Sequence, residues 1–134
     1  MPGYSETPLA KKLGMKAGAV VLCINEPSDY HEWLAPIPDG LQFTNSLSKS
    51  TDLIHHFSLS KTELSKSLKS YRRKIKPDAA IWVSWPKRAS RVETDITEDT
   101  IREIALPLDF VDIKVCAVSE IWSGLKLVIR KELR

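Results

Sequence analysis

The sequence predicts an α/β fold of three layers around a mostly parallel β-sheet, and three observations point to it. Two apolar runs, 19–24 and 79–85, are continuous rather than alternating, which is typical of strands covered on both faces. Strand-like and helix-like segments alternate along the chain, which favours parallel strands joined by crossover helices. The last two strand-like segments are close in sequence, so we expect them to form an antiparallel hairpin at one sheet edge.

The size and composition of the chain are those of an ordinary globular domain. A length of 134 residues predicts a single domain over 1–134. No apolar run approaches the roughly 20 residues that span a bilayer, so no membrane association is expected. Residues 1–6 lack a basic start followed by an apolar stretch, so no signal peptide is predicted. The expected location is therefore the cytoplasm.

The first half of the chain contains two predicted helices and two predicted strands. Residues 7–13 form a short helix, which Gly14 ends, and 19–24 form a buried strand. A short helix follows at 29–34. After a turn rich in proline, 41–44 alternates like a short edge strand, whose place in the sheet the sequence leaves open.

The middle of the chain predicts strand, helix and strand in succession. Residues 52–58 read as a strand, and Ser60 and Glu63 have the spacing of a capping box that starts a helix at Lys61. Pro77 ends that helix. The apolar run 79–85 follows as the central strand, and Pro86 ends it because proline cannot donate to a β-ladder.

The last part predicts a helix and the C-terminal hairpin. A helix begins at Thr97, and Pro107 closes it. Residues 110–118 and 125–131 are strand-like, and Ser123-Gly124 lies between them as the expected turn. The whole order predicts a three-layer, Rossmann-like α/β fold whose mostly parallel sheet ends in a C-terminal antiparallel hairpin.

Two resemblances carry this reading further. The segments 52–54, 75–78, 80–85 and the terminal hairpin resemble the second half of a class I methyltransferase fold, over about 50–132. Several stretches together are similar to a small bacterial family known as a domain of unknown function. They are Gly3-Tyr4-Ser5, Thr7 to Gly14, Trp82-Val83-Ser84-Trp85-Pro86-Lys87 and Trp122-Ser123-Gly124-Leu125-Lys126.

The methyltransferase resemblance implies a cofactor loop that this chain does not reproduce. That loop requires glycines after the first strand, because only residues without a β-carbon let the backbone approach the ligand closely. Here Asn25-Glu26-Pro27-Ser28 follows Ile24, and no glycine occurs between Gly18 and Gly40. We therefore expect no cofactor and a non-catalytic binding or regulatory module. The alternative is a small enzyme, either a divergent methyltransferase or one acting on a small anionic substrate.

Candidate ligand-binding residues follow the predicted parallel strands. In an open α/β sheet, ligands bind beyond the carboxyl ends of the strands. Trp85 could offer a stacking face and Lys87 a positive charge for a small anion, while the simpler reading makes both structural. Six residues are expected at this edge: Asn25, Glu26, Ser58, Ser84, Trp85 and Lys87.

Candidate partner contacts lie on the hairpin and on the basic helix. Trp122 and Lys126 flank the expected turn, where Trp122 either covers the sheet end or anchors a protein partner. The stretch 61–76 holds seven basic residues and one acidic residue, although the whole chain carries only +3. Its residues Lys69, Arg72 and Arg73 could contact a partner, and Arg88 and Arg91 could extend the patch. Weak nucleic-acid binding through the basic helix 61–76 is a further alternative function, although no nucleic-acid-binding motif supports nucleic acid as the expected partner.

The remaining chemical side chains favour structural roles. His55 and His56 are adjacent in a predicted strand, so they point to opposite faces and cannot share a metal ion. Cys23 and Cys116 lie in apolar strands without a CxxC pattern, which favours buried, reduced thiols. Ser84 lacks the glycines of a nucleophile elbow. No metal site and no catalytic residue are predicted.

Overall fold

The computed structural model describes residues 7–134, and within that range it contains a sheet of six strands with helices on both faces. Residues 1–6 lie outside the described range, and with them the signal-peptide prediction and the Gly3-Tyr4-Ser5 stretch. Among the described helices, none has the length and apolar character required to cross a membrane. The strands are β1 (Val20–Ile24), β2 (Gln42–Thr44), β3 (Leu53–Phe57), β4 (Ala80–Pro86), β5 (Phe110–Ala117) and β6 (Trp122–Ile129), and the helices are α1 (Leu9–Lys12), α2 (Tyr30–Leu34), α3 (Lys61–Lys74) and α4 (Glu98–Ala105).

The strand order in the sheet is β2-β1-β3-β4-β6-β5. Strands β1 to β4 pair in parallel, whereas β6 runs antiparallel between β4 and β5. The predicted Rossmann-like fold, mostly parallel with a C-terminal antiparallel hairpin, is confirmed. The weakly patterned segment 41–44 is also placed, because β2 forms the edge of the sheet beside β1.

Two apolar layers cover the sheet, one on each face. On one face, α3 and α4 bury Leu64, Leu68 and Ile101 against the central strands. On the other face, α1 and α2 bury Leu13 and Tyr30. This double coverage explains why the central strands are apolar at successive positions instead of every second one.

Both long helices begin where their caps predict. The Ser60 hydroxyl accepts a hydrogen bond from the Glu63 amide at 3.3 Å, and α3 starts at Lys61. The Thr97 hydroxyl accepts from the Thr100 amide at 3.1 Å at the start of α4. The second half of the capping box does not form, however. The Ser60 amide donates to the Ser58 hydroxyl, and the Glu63 carboxylate accepts from that same hydroxyl.

The turn of the C-terminal hairpin differs from the prediction. Strand β6 begins at Trp122, and the turn is closed by the Val118 amide, which donates to the Trp122 carbonyl at 2.9 Å. Gly124 therefore lies inside the sheet. A β-carbon at Gly124 would come within 3.1 Å of Trp82 Cε3 and 3.2 Å of Val118 Cγ2. The glycine makes room for the buried indole and does not form the turn, which corrects the assignment of Ser123-Gly124.

The chain reverses its progress across the sheet between β1 and β3. From β1 it passes through α2 to β2 on one side, and then it returns to β3 on the other side and continues to β4. The carboxyl ends of β1 and β3 thus adjoin at a topological switch point. Open α/β sheets bind their ligands at such points, because the connections diverge there and leave a crevice.

Candidate functional site

A groove of about 410 Å³ opens at the carboxyl ends of β1 and β3. Asn25 and Pro27 line it from the segment after β1, and residues 57–60 line it from the end of β3. Glu63, in the first turn of α3, and Trp122, at the start of β6, complete the lining. The volume falls within the roughly 300–1,000 Å³ of small-molecule sites. We refer to it below as the switch-point groove.

Asn25 lines the switch-point groove at the end of β1. Its φ of 59° lies in the left-handed region, which favours glycine and which asparagine tolerates better than most residues. The side-chain amide Nδ2 donates to the Phe57 carbonyl at 3.2 Å, so it bridges the ends of β1 and β3. The first turn thus adopts the backbone conformation of a glycine while carrying a side chain.

Glu63 supplies the charge of the groove, and three hydrogen bonds hold its carboxylate. Oε1 accepts from the Ser58 hydroxyl at 2.6 Å and from His56 Nε2 at 3.0 Å. Oε2 accepts from the Ser67 hydroxyl at 2.8 Å. Burial raises the pKa of Glu63, but the hydrogen bonds from His56, Ser58 and Ser67 outweigh it and hold the pKa below its usual value. The groove therefore contains an ionised carboxylate of fixed orientation at neutral pH.

Aromatic and aliphatic side chains form the apolar part of the groove. The rings of Trp122 and Phe57 meet edge to face with centroids 5.1 Å apart. Phe57 in turn stacks on the imidazole of His55 at 4.2 Å. Leu59 is 48% exposed beside them. A ligand in the groove would thus contact apolar surface close to a single carboxylate.

The two adjacent histidines lie on opposite faces of β3 and serve separate buried networks. His55 pairs with the hydroxyls of Tyr30 at 2.6 Å and Ser84 at 2.7 Å. Burial lowers the pKa of His55 to about 3, with a smaller contribution from His56, so its imidazole is neutral. His56 pairs with the Tyr71 hydroxyl at 2.6 Å and with Glu63. Residues 7–134 contain no cluster of three metal-binding side chains.

The six predicted ligand-binding residues separate into four groups. Asn25 and Ser58 meet in the switch-point groove. Ser84 is completely buried, and its hydroxyl faces His55 instead of the groove. Trp85 is 8% exposed and lines a different pocket beyond β4. The two remaining residues lie outside both: Glu26 is half-buried after β1, and Lys87 Nζ donates to the Ser119 carbonyl at 2.9 Å.

The predicted partner contacts do not form one surface. Trp122 is half-buried against Phe57, where it covers the sheet end and also lines the groove. Lys126 lies on β6, half-buried, and burial lowers the pKa of its ammonium group. On α3, Lys69 and Arg73 are exposed. Arg72 instead connects α3 to the segment that follows α4, because its Nε donates to the Leu108 carbonyl at 3.1 Å.

The sequence reasoning misses several residues that line the groove, and Glu63 and Leu59 are two of them. Their spacing around Ser60 indicates the start of α3, and that structural role accounts for them without any ligand. A second signal is present in hindsight. A capping-box glutamate that lies six residues after a strand end stands at the ligand-binding edge of the sheet.

Solved structures with the same fold include methyltransferases. Matched with a TM-score of 0.64 is a SAM-dependent methyltransferase from Aquifex aeolicus, 15% identical, over 91% of this chain and 88% of that chain. A tRNA methyltransferase of B. subtilis gives a TM-score of 0.58 at 13% identity, over 97% of this chain and 68% of that chain. The resemblance therefore extends well beyond the expected residues 50–132, into the first strand.

A protein of Bordetella parapertussis described as a possible exported protein also matches, with a TM-score of 0.60 and 11% identity. The match covers 90% of this chain, which spans only 65% of that protein's length. Neither protein-family models nor curated protein sequences match the chain. At these identities the likeness shows the methyltransferase-like fold, and the similarity to a small bacterial family stays a prediction.

Proposed function

We propose that this protein is a binding module that holds a small ligand in the switch-point groove and catalyses no reaction on it. The observation that carries the proposal is the fixed carboxylate of Glu63 beside the rings of Phe57 and Trp122. A crevice of this kind, apolar with a few oriented polar groups, is the usual form of a small-molecule site.

The charges of the groove favour a ligand with a cationic or hydrogen-donating group. Its lining residues include Glu63 and neither lysine nor arginine. An aromatic face next to a carboxylate suits an ammonium or sulfonium group, because both attract positive charge. A small anion, which the sequence alone suggested through Lys87, would meet repulsion here, and Lys87 itself is engaged by the Ser119 carbonyl.

Two features support binding without catalysis. Both oxygens of Glu63 already accept hydrogen bonds, and its low pKa makes it a weak base, so proton transfer is unfavourable. Asn25 places a side chain where a cofactor-binding turn needs bare backbone.

The alternative is a divergent methyltransferase that binds S-adenosylmethionine in the same groove. The fold match to a SAM-dependent enzyme over 91% of this chain favours it. The two functions differ in one respect that can be measured. A methyltransferase must transfer the methyl group to an acceptor, whereas a binding module leaves its ligand unchanged.

Isothermal titration calorimetry tests the proposal with S-adenosylmethionine, S-adenosylhomocysteine and benzyltrimethylammonium as probes. The groove variant is Leu59→Lys, which places a positive charge where a cation is proposed to bind, and the matched control is Leu133→Lys, since the two leucines are 48% and 47% exposed. We expect at least one cationic probe to bind, with the affinity reduced at least tenfold by Leu59→Lys and unchanged by Leu133→Lys.

Absence of binding by every probe would contradict the proposal, as would equal losses in the two variants. Transfer of a labelled methyl group from S-adenosylmethionine to any component of a cell extract, abolished by Leu59→Lys, would establish the alternative instead.

A further inference from the structure

A second pocket, separate from the switch-point groove, lies beyond the end of β4. Its volume is about 390 Å³, and Trp85 and Ile96 contribute to it from the apolar core. Arg88 and Arg91 line it from the loop that follows β4, which we call the arginine loop (residues 87–97). Glu93 is the only acidic residue among those that line the pocket.

The arginine loop is anchored at both ends. At its start, the Lys87 amide donates to the Ile121 carbonyl at 2.7 Å. Near its end, the Thr94 hydroxyl donates to the Leu59 carbonyl at 2.7 Å, and the Asp95 carboxylate accepts from the Lys61 amide at 2.7 Å. These contacts hold the pocket in a defined shape before any ligand arrives.

One tight turn brings the two arginines together. The Arg91 amide donates to the Arg88 carbonyl at 3.1 Å, and Arg91 closes the turn with a φ of 60°. Within residues 7–134, neither guanidinium group has a carboxylate or carbonyl partner. The loop contains two acidic residues: the carboxylate of Asp95 accepts a hydrogen bond from the Lys61 backbone amide, and Glu93 lines the pocket together with the two arginines.

We propose that this pocket binds a small organic phosphate, with the phosphoryl group on Arg88 and Arg91 and the carbon skeleton against Trp85 and Val92. Guanidinium groups form paired hydrogen bonds with phosphate oxygens, and two of them together match a doubly charged phosphoryl group. Trp85 and Val92 supply apolar surface beside the charge. The carboxylate of Glu93 suits the hydroxyl groups of a sugar.

This site does not depend on the function proposed for the switch-point groove. The two sites share one wall, because Leu59 lines the groove and its carbonyl accepts the hydrogen bond from Thr94 of the second pocket. Their charges are opposite, so they select different ligands.

Calorimetric titrations with phenyl phosphate, ribose 5-phosphate and inorganic phosphate test the proposal on the full chain. The pocket variants are Arg88→Gln and Arg91→Gln, and the control is Arg73→Gln, since Arg73 is exposed on α3 away from the pocket. We expect an organic phosphate to bind more tightly than inorganic phosphate. Each pocket variant should weaken it at least tenfold, while Arg73→Gln changes its affinity less than twofold.

Because the three arginines project from the surface, all variants should keep the native unfolding temperature, which is checked by differential scanning calorimetry. Lack of binding by all three probes would overturn the proposal, and so would equal losses in the Arg88→Gln and Arg73→Gln proteins. Tight binding of a 20-nucleotide RNA or DNA without binding of any small phosphate would also overturn it, in favour of contacts with a nucleic-acid backbone.

Discussion

The hydroxyl of Ser58 donates a hydrogen bond of 2.6 Å to Oε1 of Glu63, so the residue directly after β3 orients the carboxylate of the next helix. His56 and Ser67 add one hydrogen bond each. Donors from a strand, a strand end and a helix thus converge on a single side chain. Such convergence fixes the carboxylate without ligand, which lowers the entropic cost of binding.

Replacement of Glu63 by glutamine should destabilise the fold. The amide of glutamine cannot accept hydrogen bonds through its nitrogen, so at least one donor among Ser58, His56 and Ser67 loses its acceptor. We expect a loss of about 1–2 kcal/mol in the free energy of unfolding, measured by urea denaturation. Glu103→Gln, on the exposed side of α4, is the control and should stay within about 0.5 kcal/mol. Equal losses in both proteins would contradict the converging hydrogen bonds.

Stability should fall as the pH is lowered below about 6.5, because His55 is buried and neutral. Its ordinary pKa of 6.5 in the unfolded chain falls to about 3 in the fold. Between those values the unfolded state binds the extra proton, so acid favours unfolding by up to about 1.4 kcal/mol per pH unit. The pKa of Glu63 is also lowered, and its contribution is lost only below its ordinary value of 4.5.

Urea denaturation between pH 7 and pH 5 measures how His55 changes the free energy of unfolding with pH, because Glu63 contributes only below its ordinary pKa of 4.5. His55→Gln should remove most of the slope, whereas His31→Gln, at an exposed position, should retain it. If the stability of the native protein is independent of pH in this range, His55 is not buried in the neutral form.

Gly124→Ala should cost about 1–3 kcal/mol, because the new methyl group would be forced against Trp82 and Val118 at 3.1–3.2 Å. Thermal unfolding followed by circular dichroism measures the change. Ser123→Ala, at the preceding half-buried position, is the control and should alter the unfolding temperature little. A stabilised Gly124→Ala protein would show that the glycine is not required by the indole.

Both cysteines should resist alkylation in the folded protein. Both are free thiols, as the sequence predicts, and Cys116 is buried, whereas Cys23 is only half-buried. Burial, then Glu26, raises the pKa of Cys23 to about 12, and burial raises that of Cys116 as well. Because the thiolate is the reactive form, mass spectrometry should detect little iodoacetamide adduct at pH 8 in buffer and complete modification in urea. Rapid labelling without denaturant would contradict the burial of these thiols.

The fold was predictable because its signals are local. Helix caps at Ser60 and Thr97, the continuous apolar run 79–85 and Pro86 each indicate an element from neighbouring residues alone. The hairpin turn was predicted at the wrong place because Gly124 is required by its close contact with Trp82. Trp82 is distant in sequence, so no local pattern indicates that contact.

The groove was predictable only in part. The ends of parallel strands locate Asn25 and Ser58 by topology. Glu63 reaches the same place through the first turn of α3, and its position in a capping box conceals that role. Ser84 was predicted at this edge but does not line the groove. It lies on β4, and its hydroxyl faces the buried imidazole of His55.

The most direct test of the ligand groove is the ¹⁹F NMR spectrum of protein labelled with 5-fluorotryptophan. The chain contains four tryptophans, and their signals can be assigned by single Trp→Phe variants. Upon titration with S-adenosylhomocysteine or benzyltrimethylammonium, the signal of Trp122, which lines the groove, should shift and saturate, while that of the buried Trp82 stays unchanged. Unchanged signals at Trp122 with saturating concentrations of both probes would contradict a ligand site at the ends of β1 and β3.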